Sequence, residues 1–185
     1  MSGSLHLHSV FRSSLILVPM LCLALLACQK DPLPPVRNIE TRPAPEFQMQ
    51  DFAGTELSSA SLKGKIVVLN FWATWAPGCS KEIPELIALQ KKYQDRVRFV
   101  GIALGEQTAA DASVLARQFG MNYPSAVAPS EFHRNFGGID AIPSTFVIDP
   151  QWNLVNRYTG RISVQDLSAE LDYMLFQAKQ AQKNP

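Results

Sequence analysis

Cys79 stands at the end of the run Asn70-Phe71-Trp72-Ala73-Thr74-Trp75-Ala76-Pro77-Gly78-Cys79, and no other residue of this chain is better placed by its neighbours to do chemistry. Ahead of the run lies the apolar, β-branched stretch Ile66 to Leu69; behind it Ile83, Leu86, Ile87 and Leu89 recur at helical spacing. A buried strand, a tight turn at Pro77-Gly78 and a helix N-terminus follow from that pattern. A sulfur in the first turn of a helix lies beside unsatisfied backbone N–H groups and the positive end of the helix dipole, which favour the thiolate. Burial among apolar residues acts in the opposite direction, and spacing leaves that contest open.

The remaining candidates are few. His133 is the only histidine beyond the first eight residues, and no Cys/His/carboxylate group has metal-ligand spacing, so neither a metal nor a cofactor is expected. A peroxiredoxin-type site would want Thr or Ser three residues before the cysteine, where this chain has Ala76. With 17 basic and 16 acidic residues, the chain has no charge excess that would point to nucleic acid as a partner.

The Trp75–Cys79 turn resembles the Trp-Cys-x-x-Cys motif of the thioredoxin superfamily, and most closely its membrane-tethered TlpA/ResA-like thiol–disulfide oxidoreductase branch. The position of the first, attacking cysteine holds Ala76, and Cys79 matches the second, resolving cysteine. The resemblance spans roughly residues 45 to 175. It implies that Ile142-Pro143-Ser144-Thr145 is the family's cis-proline loop facing the turn, with Trp75, Pro77, Gly78, Ile142 and Pro143 forming a groove for an extended peptide. It also implies that Glu106 is a partly buried proton acceptor near Cys79, and that Asn70 replaces the buried aspartate of thioredoxins proper. From spacing alone Glu106 reads equally well as a solvated carboxylate at a helix entry.

The surrounding elements must hold this turn in place. Alternating residues from Glu46 to Lys65 predict a hairpin around Asp51–Gly54, with Ile66–Ala73 as a buried strand and Ser80–Tyr93 as a helix interrupted by Pro84. Further expectations are a strand at Arg98–Leu104, a helix at Thr108–Phe119 and a brief strand within Tyr123–Ala128. One or two helical turns at Glu131–Phe136 come next, then strands at Thr145–Asp149 and Leu154–Thr159, and a last helix at about Val164–Ala178. Strands alternating with helices early and a hairpin late predict an α/β fold, a three-layer sandwich with a mixed central sheet. The resemblance makes it thioredoxin-like, with an N-terminal hairpin and a TlpA/ResA-type insertion within Leu104–Ala128.

The chain divides into residues 1–27, 28–45 and 46–185. Leu15 to Ala27 is an apolar stretch too short to span a bilayer, and it ends Leu25-Leu26-Ala27-Cys28, which resembles a bacterial lipobox. That reading makes 1–27 a signal peptide and Cys28 a lipidated N-terminus, in preference to an ordinary signal or an uncleaved anchor. Gln29 after it resembles outer-membrane sorting. Processing removes Arg12 and Cys22, balances the charges and leaves Cys79 as the one cysteine not carrying lipid. Residues 28–45, with five prolines, read as an extended tether holding a periplasmic domain off the membrane.

Thiol–disulfide exchange needs one thiolate to attack and a second thiol to release the mixed disulfide. With Ala76, both steps fail in their usual form. Two functions follow: a module that binds periplasmic peptide or protein clients through the Trp75/Pro143 groove, which is favoured, or a monothiol redox protein working through Cys79. A third reading makes Ala76 a variant of an ordinary enzyme.

Overall fold

The computed structural model describes residues 32–105, 109–129 and 131–183. Its central sheet has six strands in the order β1-β8-β7-β4-β5-β6, formed by β1 (Arg42–Pro43), β4 (Ile66–Trp72), β5 (Val97–Ala103), β6 (Ser125–Val127), β7 (Ser144–Ile148) and β8 (Asn153–Thr159). β4 pairs parallel with β5 and antiparallel with β7, so the sheet is mixed, as expected. All seven residues of β4 are buried, which explains why its sequence is apolar at every position but Asn70 rather than alternating. The hairpin β2 (Gln48–Gln50) and β3 (Glu56–Ser58) forms a separate two-stranded sheet, with the short helix α1 (Ser59–Leu62) after it. At its turn, the Phe52 N–H donates to the Ser125 carbonyl at 2.8 Å, closing part of the outer edge of β6.

Helices α2 (Pro77–Tyr93), α3 (Ala109–Gln118), α4 (Phe132–Asn135) and α5 (Val164–Lys183) complete the described elements. One cluster around Phe71, Phe132, Phe136 and Phe146 fills the space between sheet, hairpin and α4, with ring centroids 5.2 to 6.1 Å apart. On the other face, Val68, Leu86, Tyr93, Phe99, Leu167 and Leu171 join α2 and α5 to the sheet. Helix, sheet and helix make the three layers. Starting the helix at Pro77 rather than Ser80 agrees with the preference for proline in the first turn, where its missing N–H has no partner to lose. The last helix runs five residues past Ala178. The apolar stripe ends there, but Lys179-Gln180-Ala181-Gln182-Lys183 are strong helix formers.

The Pro-rich stretch differs from the free-standing tether that its composition suggests. From Pro32 onward it belongs to the same compact unit as the rest of the domain. β1 pairs with β8, and Ala44 is buried. Further back, the fully buried Asn156 side chain accepts from the Asn38 N–H at 2.9 Å and donates to the Val36 carbonyl at 2.9 Å and to Glu170 at 3.2 Å. Glu170 also accepts from the Tyr158 hydroxyl at 2.7 Å, and burial pushes its pKa up. One amide therefore ties the segment to β8 and α5. Asn156→Ala is expected to leave these groups unmatched, costing about 2–3 kcal/mol in urea unfolding and sharply accelerating amide exchange at Asn38.

Candidate functional site

The turn between β4 and α2 is the place where the sheet hands its most buried strand to a helix. Ala76 is the N-cap residue, and its methyl offers the first-turn N–H groups no side-chain acceptor. Its carbonyl accepts from the Cys79 N–H at 3.0 Å. Ala76 and Cys79 are only 4% and 2% exposed, packed with Trp72, Ala73, Ile83, Ala103, Ala112 and Ala116. A client disulfide cannot reach the Cys79 sulfur without local movement. Trp75, in contrast, is 64% exposed.

The Ile142–Pro143 bond is cis, as expected, and Pro143 faces the helix N-terminus. A Cβ placed on Gly78 would come 2.8 Å from Pro143 Cδ, so residue 78 must lack a side chain for the proline to sit there. Beside this contact Trp75, Leu104, Gly105, His133, Ile139 and Ile142 line an open, largely apolar groove of about 290 Å³. Thus the structure brings Trp75, Gly78, Ile142, Pro143 and Cys79 to one end of the sheet, with Pro77 as the first residue of α2. Glu106 and Cys28 lie outside the described residues. His133 belongs to the groove wall, and among the described residues no group of acidic, histidine and cysteine side chains is assembled to hold a metal.

Beneath the turn is a residue that sequence reasoning missed. Glu82 is fully buried, one helical turn after Cys79. Its carboxylate accepts from Asn70 Nδ2 at 2.7 Å and from the Ile162 backbone N–H at 2.8 Å; Asn70 Nδ2 also donates to Thr145 Oγ1 at 3.0 Å. Burial raises the Glu82 pKa from its ordinary 4.5 to about 6, against the lowering effect of the two hydrogen bonds. Tyr123 lies close enough to feel the charges of both Glu82 and Cys79, and burial, first, and those charges push its pKa up. Its hydroxyl, Asn70 Oδ1 and Trp72 Nε1 have no hydrogen-bond partner among the described residues. A signal for Glu82 existed: residues 79, 82, 83 and 86 form one i, i+3, i+4, i+7 stripe, and an acidic member of a buried stripe must be matched by donors.

The site therefore offers an apolar groove walled by Trp75 and Ile142 beside the cis-proline, above a buried carboxyl group at Glu82 whose pKa burial raises to about 6. Comparisons with known proteins agree with this geometry. The model of the AhpC/TSA family matches residues 41–157. The thiol-disulfide oxidoreductase ResA of Geobacillus thermodenitrificans is 30% identical over 130 residues, covering 70% of this chain and 74% of the relative. Among solved structures, a thiol:disulfide interchange protein of the thioredoxin family from Chlorobium tepidum is similar at 36% identity, with a TM-score of 0.65, covering 75% of this chain and 97% of that one. An exposed lipoprotein thioredoxin from Streptococcus pneumoniae is similar at 25% identity and TM-score 0.63, covering 69% of this chain and 98% of that one. With its mixed sheet, cis-proline loop and strand–turn–helix site, the chain belongs to the AhpC/TSA family, in its ResA-like branch of thioredoxin-fold thiol–disulfide oxidoreductases.

Proposed function

We propose that this protein is a lipid-anchored, extracytoplasmic thioredoxin-like domain that has lost dithiol turnover and holds an extended peptide or protein client in the Trp75/Pro143 groove. The observation that carries this reading is the pairing of a 2% exposed Cys79 with a 64% exposed Trp75 across a preserved cis-proline. An exposed tryptophan beside an apolar groove is costly to leave in water, and it gains on being covered. Backbone beside the cis-proline suits antiparallel pairing with an extended chain, a mode in which side-chain pockets give selectivity and main-chain bonds give affinity. None of this needs sulfur at position 76. The Leu25–Cys28 run, and the likeness to a lipoprotein thioredoxin, support the anchor at Cys28. Outer-membrane sorting follows the Gln29 reading.

The test is binding of cysteine-free extended peptides from a random library. Trp75→Ala is expected to weaken the best binders at least about tenfold, in line with loss of a buried aromatic anchor, while the unfolding midpoint stays within error. Unchanged affinity would refute the groove. A second reading, a monothiol redox protein, is favoured by the place of Cys79 in the first turn of α2. Alkylation of Cys79 only on unfolding supports the binding module; rapid alkylation of the folded protein, or an adduct carried on purification, supports the monothiol.

A further inference from the structure

On the face of the sheet covered by α5, where β4 begins, lies an apolar groove of about 350 Å³, lined by Pro35, Arg37, Val155, Tyr173, Met174 and Ala178 among others. Close in sequence to the lining residues Pro35 and Arg37 stand two of the most exposed large apolar side chains of the described residues, Leu33 at 74% and Val36 at 81%. The helix wall is unusual in its pattern. Tyr173, Met174, Leu175 and Phe176 are all half-buried. Successive helical residues point about 100° apart, so these four girdle α5, and the domain's own core can cover only one side of the girdle. After Asp172 the helix carries the exposed Lys179 and Lys183 and no acidic residue; in the groove itself the exposed Arg37 stands with two carboxyl groups already engaged within the domain, Asp149 accepting from Asn153 and the buried Glu170 from Tyr158 and Asn156.

What covers this face is indicated by where the chain goes. The Asn156 clamp on Val36 and Asn38 fixes the segment at the groove rather than letting it swing. Pro32 is four residues from Cys28, and four extended residues reach at most about 14 Å. A lipid on Cys28 would hold this end of the domain within that distance of the membrane. Apolar side chains flanked by lysine and arginine are the composition of an interfacial surface, the cations meeting anionic headgroups and the apolar groups entering the acyl boundary.

We propose that the groove between residues 32–37 and the C-terminal half of α5 is a lipid-docking face that seats the anchored domain against an anionic membrane in one orientation. The proposal rests on the lipid-anchor reading for its biological setting, so its test must not use that anchor. The described clusters draw on residues 39 to 175, and the domain keeps its core without the residues before Pro32. Residues 32–185 are therefore attached by six preceding histidines to vesicles of phosphatidylcholine with 30% phosphatidylglycerol and a small share of nickel-chelating lipid. A fluorescent amino acid is placed at Gln177, on the groove, or at Ala110, on α3, and quenched by spin-labelled lipid.

Quenching at Gln177 is expected to exceed that at Ala110 about threefold or more. The difference should vanish in the Leu33→Glu/Val36→Glu/Ala181→Glu variant, whose changes all fall on exposed positions. Equal quenching at both positions overturns the proposal. So does self-association without lipid that the triple variant abolishes, because a second copy would then be the occupant. Mass spectrometry of the Cys28 peptide from membranes of cells making the full chain tests the anchor separately. A missing lipid there with positive quenching refutes the anchor and leaves the face standing.

Discussion

Ala76→Cys is expected to raise disulfide reduction, measured by insulin precipitation, at least about 100-fold above a parent activity indistinguishable from the uncatalysed rate. The geometry is already in place. The Cys79 N–H to Ala76 carbonyl bond of 3.0 Å closes a turn, and the two Cα atoms of such a turn lie within about 7 Å, inside the span of a disulfide. A thiol at the N-cap would sit at the positive end of a 17-residue helix that has no acidic residue in its first turn, an arrangement that lowers thiol pKa and increases the thiolate fraction. Cys79 would then resolve the mixed disulfide intramolecularly, with effective molarities that reach about 10⁵ M for well-oriented groups. Ala76→Ser, similar in size and unable to exchange, should stay at background. High turnover by the unaltered protein, or no gain in an Ala76→Cys protein that mass spectrometry shows to form the 76–79 disulfide, would refute the account of the site.

Glu82 should give the stability of this protein a marked pH dependence between pH 4.5 and 7. Its folded pKa, about 6, lies above its ordinary 4.5 because burial disfavours the charge. The folded protein therefore keeps this proton through a range in which the unfolded chain has released it. Stability from this group is fully present below pH 4.5 and is lost as pH rises through 6. The difference corresponds to about 2 kcal/mol. In urea unfolding at a series of pH values, the parent is expected to lose about 2 kcal/mol more between pH 4.5 and 7 than Glu82→Gln does. The variant starts from a lower level, since one amide cannot accept from both Asn70 and the Ile162 N–H as the carboxylate does. Glu170, also shifted upward, is present in both proteins and cancels in the comparison. Parallel pH profiles would refute the assignment.

The parts of this molecule that were legible in the sequence are those whose side-chain pattern repeats their environment. β4 and β5 are buried on both faces over most of their length and read as apolar runs broken only by Asn70 and Arg98; α2 and α5 carry apolar stripes; the Pro77-Gly78 break sits where strand becomes helix. The cis-proline loop came from resemblance rather than periodicity. Illegible features depended on partners distant in sequence. Nothing near Val36 or Asn38 reveals that Asn156 holds them, more than a hundred residues later. A Pro-rich, polar stretch looks unattached because its attachment is made by backbone groups, which composition does not register. Glu82 hid for the opposite reason: an acidic residue in a helix is ordinarily read as facing solvent, and its donors come from β4 and from the loop before α5.

Among the described residues both edges of the central sheet are short and partly covered. β6 has three residues and gives part of its outer edge to the hairpin turn at Phe52; β1 has two, one of them Pro43, and beyond it the 36–38 segment continues along β8 through Asn156. Proteins confined to a surface meet their neighbours at far higher local density than the same number free in a volume, and long unpaired strands would zip adjacent copies into aggregates. With both borders blunted, many copies of this domain, anchored as proposed, could crowd together on a membrane and still remain separate molecules.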